Sequence, residues 1–186
     1  MSTVLPWRPV NVLVTGGAGY VGGQTVLHLR SLRWRVTALD DFSTGNRDPE
    51  THLIPSLIAA TEDAPFVVCG DDWPTPDGTC IRDFVHIQDL AQAHELALRY
   101  LWAGGATAVV NLGSGRGASV REVLAAVERR LGRPVPAVVR ARRPGDPPRL
   151  EAAIERAATL LGWRPELSDL DALIATAVRW QTTRPG

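Results

Sequence analysis

A chain of 186 residues, 45% of them hydrophobic and 22% charged, has the length and balance for one hydrophobic core, so a single globular domain is expected. Its 20 basic residues balance 20 acidic ones, which excludes the clustered positive footprint of a nucleic-acid binder and leaves small molecules as the expected partners. All the basic residues are arginine, and with no lysine anywhere every mechanism that needs a lysine amine is excluded.

In chain order, Val10 to Thr15 is a β-branched apolar run that stops at Gly16, Gly17 and Gly19, the pattern of a buried strand. From Tyr20 to Leu32 the apolar residues recur at helical spacing, and Arg35 to Leu39 returns to a strand that ends at Asp40 and Asp41. Together these predict a βαβ unit with parallel strands. A loop follows from Phe42 to Pro49, then a helix over Glu50 to Ala60 and a strand over Phe66 to Cys69. Asp71 to Gly78 has turn chemistry. Further on, the pattern predicts a helix over Asp89 to Trp102, a strand over Ala108 to Leu112, and a helix over Ser119 to Leu131, with Ser119 as N-cap and Glu122 three residues on. A strand over Ala137 to Arg140, a helix over Glu151 to Leu161 ending at Gly162, and an amphipathic helix over Leu170 to Trp180 complete the chain.

No apolar run approaches the ~20 residues that span a bilayer, so no membrane partner is expected. Cys69 and Cys80 form no C-x-x-C motif, and Met1 to Val10 holds no apolar stretch of signal-peptide length. A reduced, cytoplasmic protein is the expectation.

Gly16, Gly19 and Gly22 stand at G-x-x-G-x-x-G spacing between the first strand and the first helix. There glycine allows positive φ, lets backbone approach a pyrophosphate, and leaves the helix N–H groups aimed at that anion. Asp40 ends the second strand, where a carboxylate accepts bonds from both ribose hydroxyls of NAD and repels the 2′-phosphate of NADP. The same glycines also serve tight strand-to-helix packing, and the spacing does not decide whether binding persists.

The run Val12 to Gly23 (VLVTGGAGYVGG), with Ala38 to Asn46 (ALDDFSTGN), resembles the opening of UDP-glucose 4-epimerases, members of the extended short-chain dehydrogenase/reductase family. More specific is Gly70 to Leu90 (GDDWPTPDGTCIRDFVHIQDL), which is similar to that family's segment nearly residue for residue; NLGSG at Asn111 to Gly115 and RRPGD at Arg142 to Asp146 follow in family order. The resemblance implies interconversion of UDP-glucose and UDP-galactose, with NAD as cofactor and a UDP-sugar as substrate. It also implies an α/β fold: an incomplete Rossmann-type parallel sheet with helices on both faces and a small C-terminal substrate-binding portion. On that division residues 1–47 form the dinucleotide-binding unit and residues 48–186 the nucleotide-sugar-binding portion, packed as one globular domain. By family position, Gly16, Gly19, Tyr20, Val21, Gly22, Asp40, Asp41, Phe42, Ser43, Thr44 and Gly45 fall at NAD. His52, Leu53, Val67, Val68, Cys69, Arg82, Arg143 and Asp146 fall at the UDP moiety. Two guanidiniums suit a diphosphate and a carboxylate suits ribose hydroxyls, although unplaced arginines are also ordinary surface charges. The sequence departs from the family pattern at Phe84, usually Tyr, at Cys69, usually aromatic, and at Trp73, frequently Tyr. His52, His86 and His94 have no placed partner and receive no chemistry.

The family's catalysis uses a Tyr-x-x-x-Lys pair, in which lysine lowers the tyrosine pKa, and a Ser or Thr. Here Tyr20 belongs to the glycine loop and Tyr100 has Gly104 at the lysine position, so the chain has no catalytic residue to assign. The piece resembling Ser43 to Asn46 joins the piece resembling Asp48 to Pro55 directly near Arg47, where the family has its middle strands and catalytic helix. The expectation is an epimerase homologue, internally truncated and inactive alone. A non-catalytic NAD or UDP-sugar binding module and a decayed fragment are the alternatives. Without the middle strands the first strand loses a neighbour, so the sheet must re-pair, be completed by a partner as in a homodimer, or stay partly folded.

Overall fold

The computed structural model of the chain describes residues 11–43 and 52–183. Strand β1 (Asn11–Thr15), helix α1 (Tyr20–Ser31) and strand β2 (Arg35–Leu39) form the expected βαβ unit, with the strands parallel and Asn11 through Thr15 opposite Arg35 through Leu39. Helix α2 (Leu53–Ala59) and strand β3 (Phe66–Cys69) come next, followed by β4 (Ile81–Asp83) and the long helix α3 (Ile87–Trp102). Strand β5 (Gly117–Ser119), helix α4 (Val120–Leu131), strands β6 (Ala137–Arg140) and β7 (Arg149–Leu150), and helices α5 (Glu155–Leu161) and α6 (Leu170–Thr183) complete the order.

This is an α/β fold whose strands lie in three small sheets. β1 pairs with β2, β3 runs parallel to β6, and β4 sits between β5, antiparallel, and β7, parallel. The expected strand over Ala108 to Leu112 does not form. A strand exists through a neighbour's N–H and C=O groups, and with β1 committed to β2 and β3 to β6 no ladder reaches this run. Val110 and Leu112 pack partly against Ala93, Ala157 and Trp163 instead, while Val109 stays exposed. The last-but-one helix also starts later than the sequence pattern gives, at Glu155, because Arg149 and Leu150 pair with β4 and the Glu151 carboxylate accepts the Gly117 N–H at 2.7 Å.

The core lies between α2, α4 and α6, where Leu57, Val123, Val127 and Ile174 are fully enclosed. α4 starts as its sequence predicts: the Ser119 hydroxyl accepts the Glu122 N–H at 3.0 Å and the Glu122 carboxylate accepts the Ser119 N–H at 2.7 Å, a reciprocal cap. A second cluster, Val68, Trp73, Cys80 and Val120, fastens β3 to the turn after it, and a third joins α3 to α5 through Trp163. The βαβ unit attaches by α1 lying on α3. Leu29 is buried there, and beside it His28 Nε2 meets Glu95 Oε2 at 2.8 Å. Glu95 also pairs with Arg99, whose guanidinium stands 5.5 Å from the centre of the Trp34 ring.

Candidate nucleotide-binding site

The glycine loop is shaped by two contacts that only glycine permits. Gly16 has φ +67°, and a Cβ at Gly22 would fall 2.0 Å from the Gly16 carbonyl oxygen, so any side chain there forces the loop and the first turn of α1 apart. No side chain caps α1, because its N-cap is Gly19. Its N-terminus therefore presents backbone N–H groups that no N-cap side chain satisfies.

Asp40 braces this loop. Its Oδ2 accepts the Ala18 N–H at 2.8 Å and its Oδ1 accepts the Phe42 N–H at 2.8 Å. A carboxylate has about four acceptor positions, so capacity for two hydroxyls remains. Asp41 accepts both the Ser43 hydroxyl, at 2.7 Å, and the Ser43 N–H, at 3.0 Å, and these bonds hold its carboxyl below the usual range. Tyr20, Val21 and Phe42 are exposed. Thr44 and Gly45 lie outside the described residues. A cleft of about 620 Å³ opens from the glycine loop along β1, with Asp40 and Asp41 at its rim and His94, Leu98 and Leu101 of α3 on its far wall.

The residues expected at a UDP moiety separate into three places. His52, just before α2, stacks on Tyr20 with ring centroids 6.2 Å apart, which joins the first turn of α1 to the start of α2. Leu53 and Val68 pack into the core, whereas Val67 is exposed and Cys69 half-buried. Arg82 on β4 donates to the Ile81 and Pro147 carbonyls at 2.8 and 2.9 Å, and its other Nη lies 3.6 Å from Asp146 Oδ2. Arg143 and Asp146 bracket one turn, closed by the Asp146 N–H donating to the Arg143 carbonyl at 3.3 Å. Arg82, Arg143 and Asp146 thus share one edge, between β4 and the loop from β6 to β7.

Residues 42–113 match the model of the NAD dependent epimerase/dehydratase family. UDP-glucose 4-epimerase of Lacticaseibacillus casei is 44% identical over 151 residues, which is 80% of this chain and 46% of that protein. The chain belongs to the epimerase family. The structure of UDP-glucose 4-epimerase from Brucella ovis in complex with NAD superposes with a TM-score of 0.68 at 43% identity, covering 85% of this chain and 52% of that one. That from Bifidobacterium longum in complex with NAD+ and UDP gives 0.65 at 33% identity, covering 86% and 51%. The chain spans about half the length of these epimerases.

Within the epimerase-like segment, three carboxylates that the sequence reading left without a role prove to be hubs. Asp83 Oδ1 accepts the N–H and hydroxyl of Ser114, both at 2.6 Å, and Oδ2 accepts the Ala152 N–H at 3.1 Å, tying the NLGSG loop to β4. Asp89 is buried and accepts the Leu167 N–H at 2.9 Å and the Ser168 hydroxyl at 2.6 Å. Burial pushes the Asp77 carboxyl up, but the Ser119 hydroxyl, the Thr79 N–H and hydroxyl and the nearby Arg121 outweigh it, leaving Asp77 below the usual range. His86 is buried with its Nδ1 accepting the Gln88 N–H at 3.1 Å, and burial lowers its pKa against the pull of Asp89. The run Asp71 to Gly78 marked Asp77 as part of a turn, but nothing in it names the partners of that carboxylate. Among the described residues no group of three metal-ligating side chains converges, and no helix is long and apolar enough to cross a membrane.

Proposed function

We propose that this chain is a nucleotide-sugar-binding homologue of UDP-glucose 4-epimerase that takes UDP-sugars at the Arg82, Arg143 and Asp146 edge and does not epimerise them by itself. The observation that supports it most is the seating of Arg82 between two carbonyls and Asp146. That arrangement fixes a guanidinium within a short loop of a second arginine, which suits bidentate contact with a diphosphate.

NAD is the dinucleotide the βαβ unit fits. The uncapped α1 N-terminus would face its pyrophosphate and Asp40 its adenosine ribose. When bound, NAD would supply a hydride acceptor; proton removal from a sugar hydroxyl would still need a base. Tyr20 and Tyr100 are the only phenols and no lysine is present to lower either pKa. Affinity for NAD is expected to be weak, since the βαβ unit offers one ribose and the pyrophosphate a grip and leaves β1 open to the cleft. A homodimer belongs to this reading, supported by the edge of β1 that no second strand covers among the described residues; sedimentation equilibrium showing only monomer at high concentration would remove it.

Calorimetry with UDP, NAD and NADP, beside an assay of UDP-galactose to UDP-glucose conversion, tests the proposal. UDP should bind more tightly than NAD, NAD more tightly than NADP, and turnover should equal the blank. Arg82→Ala and Arg143→Ala should each weaken UDP by about tenfold, the worth of one charge-assisted bond. Gly22→Ala should abolish NAD binding and leave UDP affinity unchanged. A folded chain that ignores UDP, or turnover that survives repurification and disappears in Asp40→Ala, would overturn the reading.

A further inference from the structure

Arg142 precedes the proposed phosphate ligand and turns onto the Trp73 ring. Its guanidinium lies 4.3 Å over the Trp73 ring, its Nε donates to Asp72 Oδ1 at 2.7 Å, and an Nη bonds to the Asp72 carbonyl. The platform beneath it is rigid. Trp73 is buried in the cluster with Val68, Cys80 and Val120, and its indole N–H donates to the Cys69 carbonyl at 3.0 Å. Gly70 makes room for the clamp: it has φ +84°, and a Cβ there would stand 2.6 Å from both Arg142 Cγ and Trp73 Nε1. The bond from Arg142 also holds the Asp72 carboxyl below its usual range.

The loop from β6 to β7 is therefore pinned at three points. Its start is held where the Gly70 N–H donates to the Arg140 carbonyl at 2.8 Å, and its end where the Ile81 N–H donates to the Pro148 carbonyl at 2.9 Å. Arg142 is the pin between them, next to Arg143, while Asp146 sits beside the contact of Arg82 with the Pro147 carbonyl. We propose that Arg142 is a positioning residue of the sugar-nucleotide site: by gripping Trp73 and Asp72 it fixes the backbone from which Arg143 reaches a diphosphate. The inference rests on the nucleotide-sugar reading and deepens it, since it makes Arg143, and not Asp146, the group that depends on the clamp.

A double-mutant cycle on the full chain, read by UDP calorimetry, separates positioning from general support. Arg142→Ala should weaken UDP about fivefold, on the order of a single lost contact, and should change affinity less than about twofold once Arg143 is already alanine. In an Arg82→Ala background its full effect should persist. Arg142→Lys keeps the ion pair and loses the planar stack, so it should fall between wild type and alanine; it also carries the cycle if the alanine variant does not fold. Wild-type affinity in a folded Arg142→Ala or Arg142→Lys chain, or a loss that is the same with and without Arg143, overturns the inference while the site stands. A wild-type chain with no affinity for UDP overturns the reading and the inference together.

Discussion

The βαβ unit and the remainder of the chain are written in similar residues and end up in different physical conditions. Between residues 11 and 43 Leu29 is the one fully buried hydrophobic side chain among the described residues, and Leu13, Tyr20, Leu27, Leu39 and Phe42 are all exposed. All three hydrophobic clusters lie beyond residue 52. Local pattern was enough to make β1, α1 and β2, because the strands pair with each other and the glycine turn closes without outside help. It does not supply a core, and a two-stranded sheet is marginal in water without further packing. The two proposed binding functions divide along the same line. Recognition of a diphosphate rests on loops bolted to the second cluster, and recognition of a dinucleotide rests on a unit held mainly through α1 on α3.

The largest expected effect belongs to Trp163. It is enclosed, contacts Ala93 and Ala157, and donates its indole N–H to the Asp89 carbonyl at 2.9 Å. Trp163→Ala should destabilise the chain by roughly 3–5 kcal/mol, the usual cost of emptying an aromatic core site. The readout is a urea transition followed by far-UV circular dichroism. Because α3 is also the platform for α1, both regions should lose protection together. A loss below about 1 kcal/mol would mean that α5 contributes little to holding α3.

Leu29→Ala sharpens the contrast. Leu29 is buried, yet it also borders the cleft beside β1, so the site can partly collapse and the cost should sit near the low end for leucine, about 2 kcal/mol. The effect should stay local. Hydrogen exchange should quicken across β1, α1 and β2 and remain unchanged in α4 and across β3 and β6. Equal acceleration in α4 would show that the two regions unfold as one.

How much could be read from the residues follows the same division between local and distant causes. β2, β3 and β6 run from Arg35, Phe66 and Ala137 to the residues where the sequence ends them, since each is a short β-branched run closed by polar or turn residues. The capping box at Ser119 was equally legible. Ala108 to Leu112 misleads because an apolar run states a preference for burial, and a strand additionally needs a neighbour. β4, β5 and β7 were invisible for the opposite reason: IRD, GAS and RL have no alternation, and only tertiary pairing makes them strands. At the site, the acidic position after β2 was legible and its bond to the Ala18 N–H was not. Arg142 could be read as part of a motif, but its aim at Trp73 depends on Gly70 leaving a gap across the fold.

The smallest expected effect concerns pH and belongs to the well-packed region alone. His86 caps α3 through Nδ1, and its backbone N–H donates to the Ser168 hydroxyl at 2.9 Å. That cap needs the neutral ring, because protonation turns Nδ1 into a donor facing the Gln88 N–H. Burial, outweighing the attraction of Asp89, lowers the folded pKa below the ordinary 6.5, so the unfolded chain binds more protons between the two values. Stability is then complete above about pH 6.5 and declines as pH falls toward the folded pKa, by no more than about 1.4 kcal/mol per pH unit. Asp77 does not interfere, because a lowered carboxyl loses its contribution only on further acidification, below its ordinary 3.8. His86→Asn keeps an acceptor at the N-cap without a group that titrates here. Urea transitions at pH 7.5 and 5.5 should therefore differ more for the natural chain than for the variant, with protection lost first at the start of α3 and around Ser168. If the two proteins show the same difference between these pH values, the ring of His86 is not the group that senses the acid.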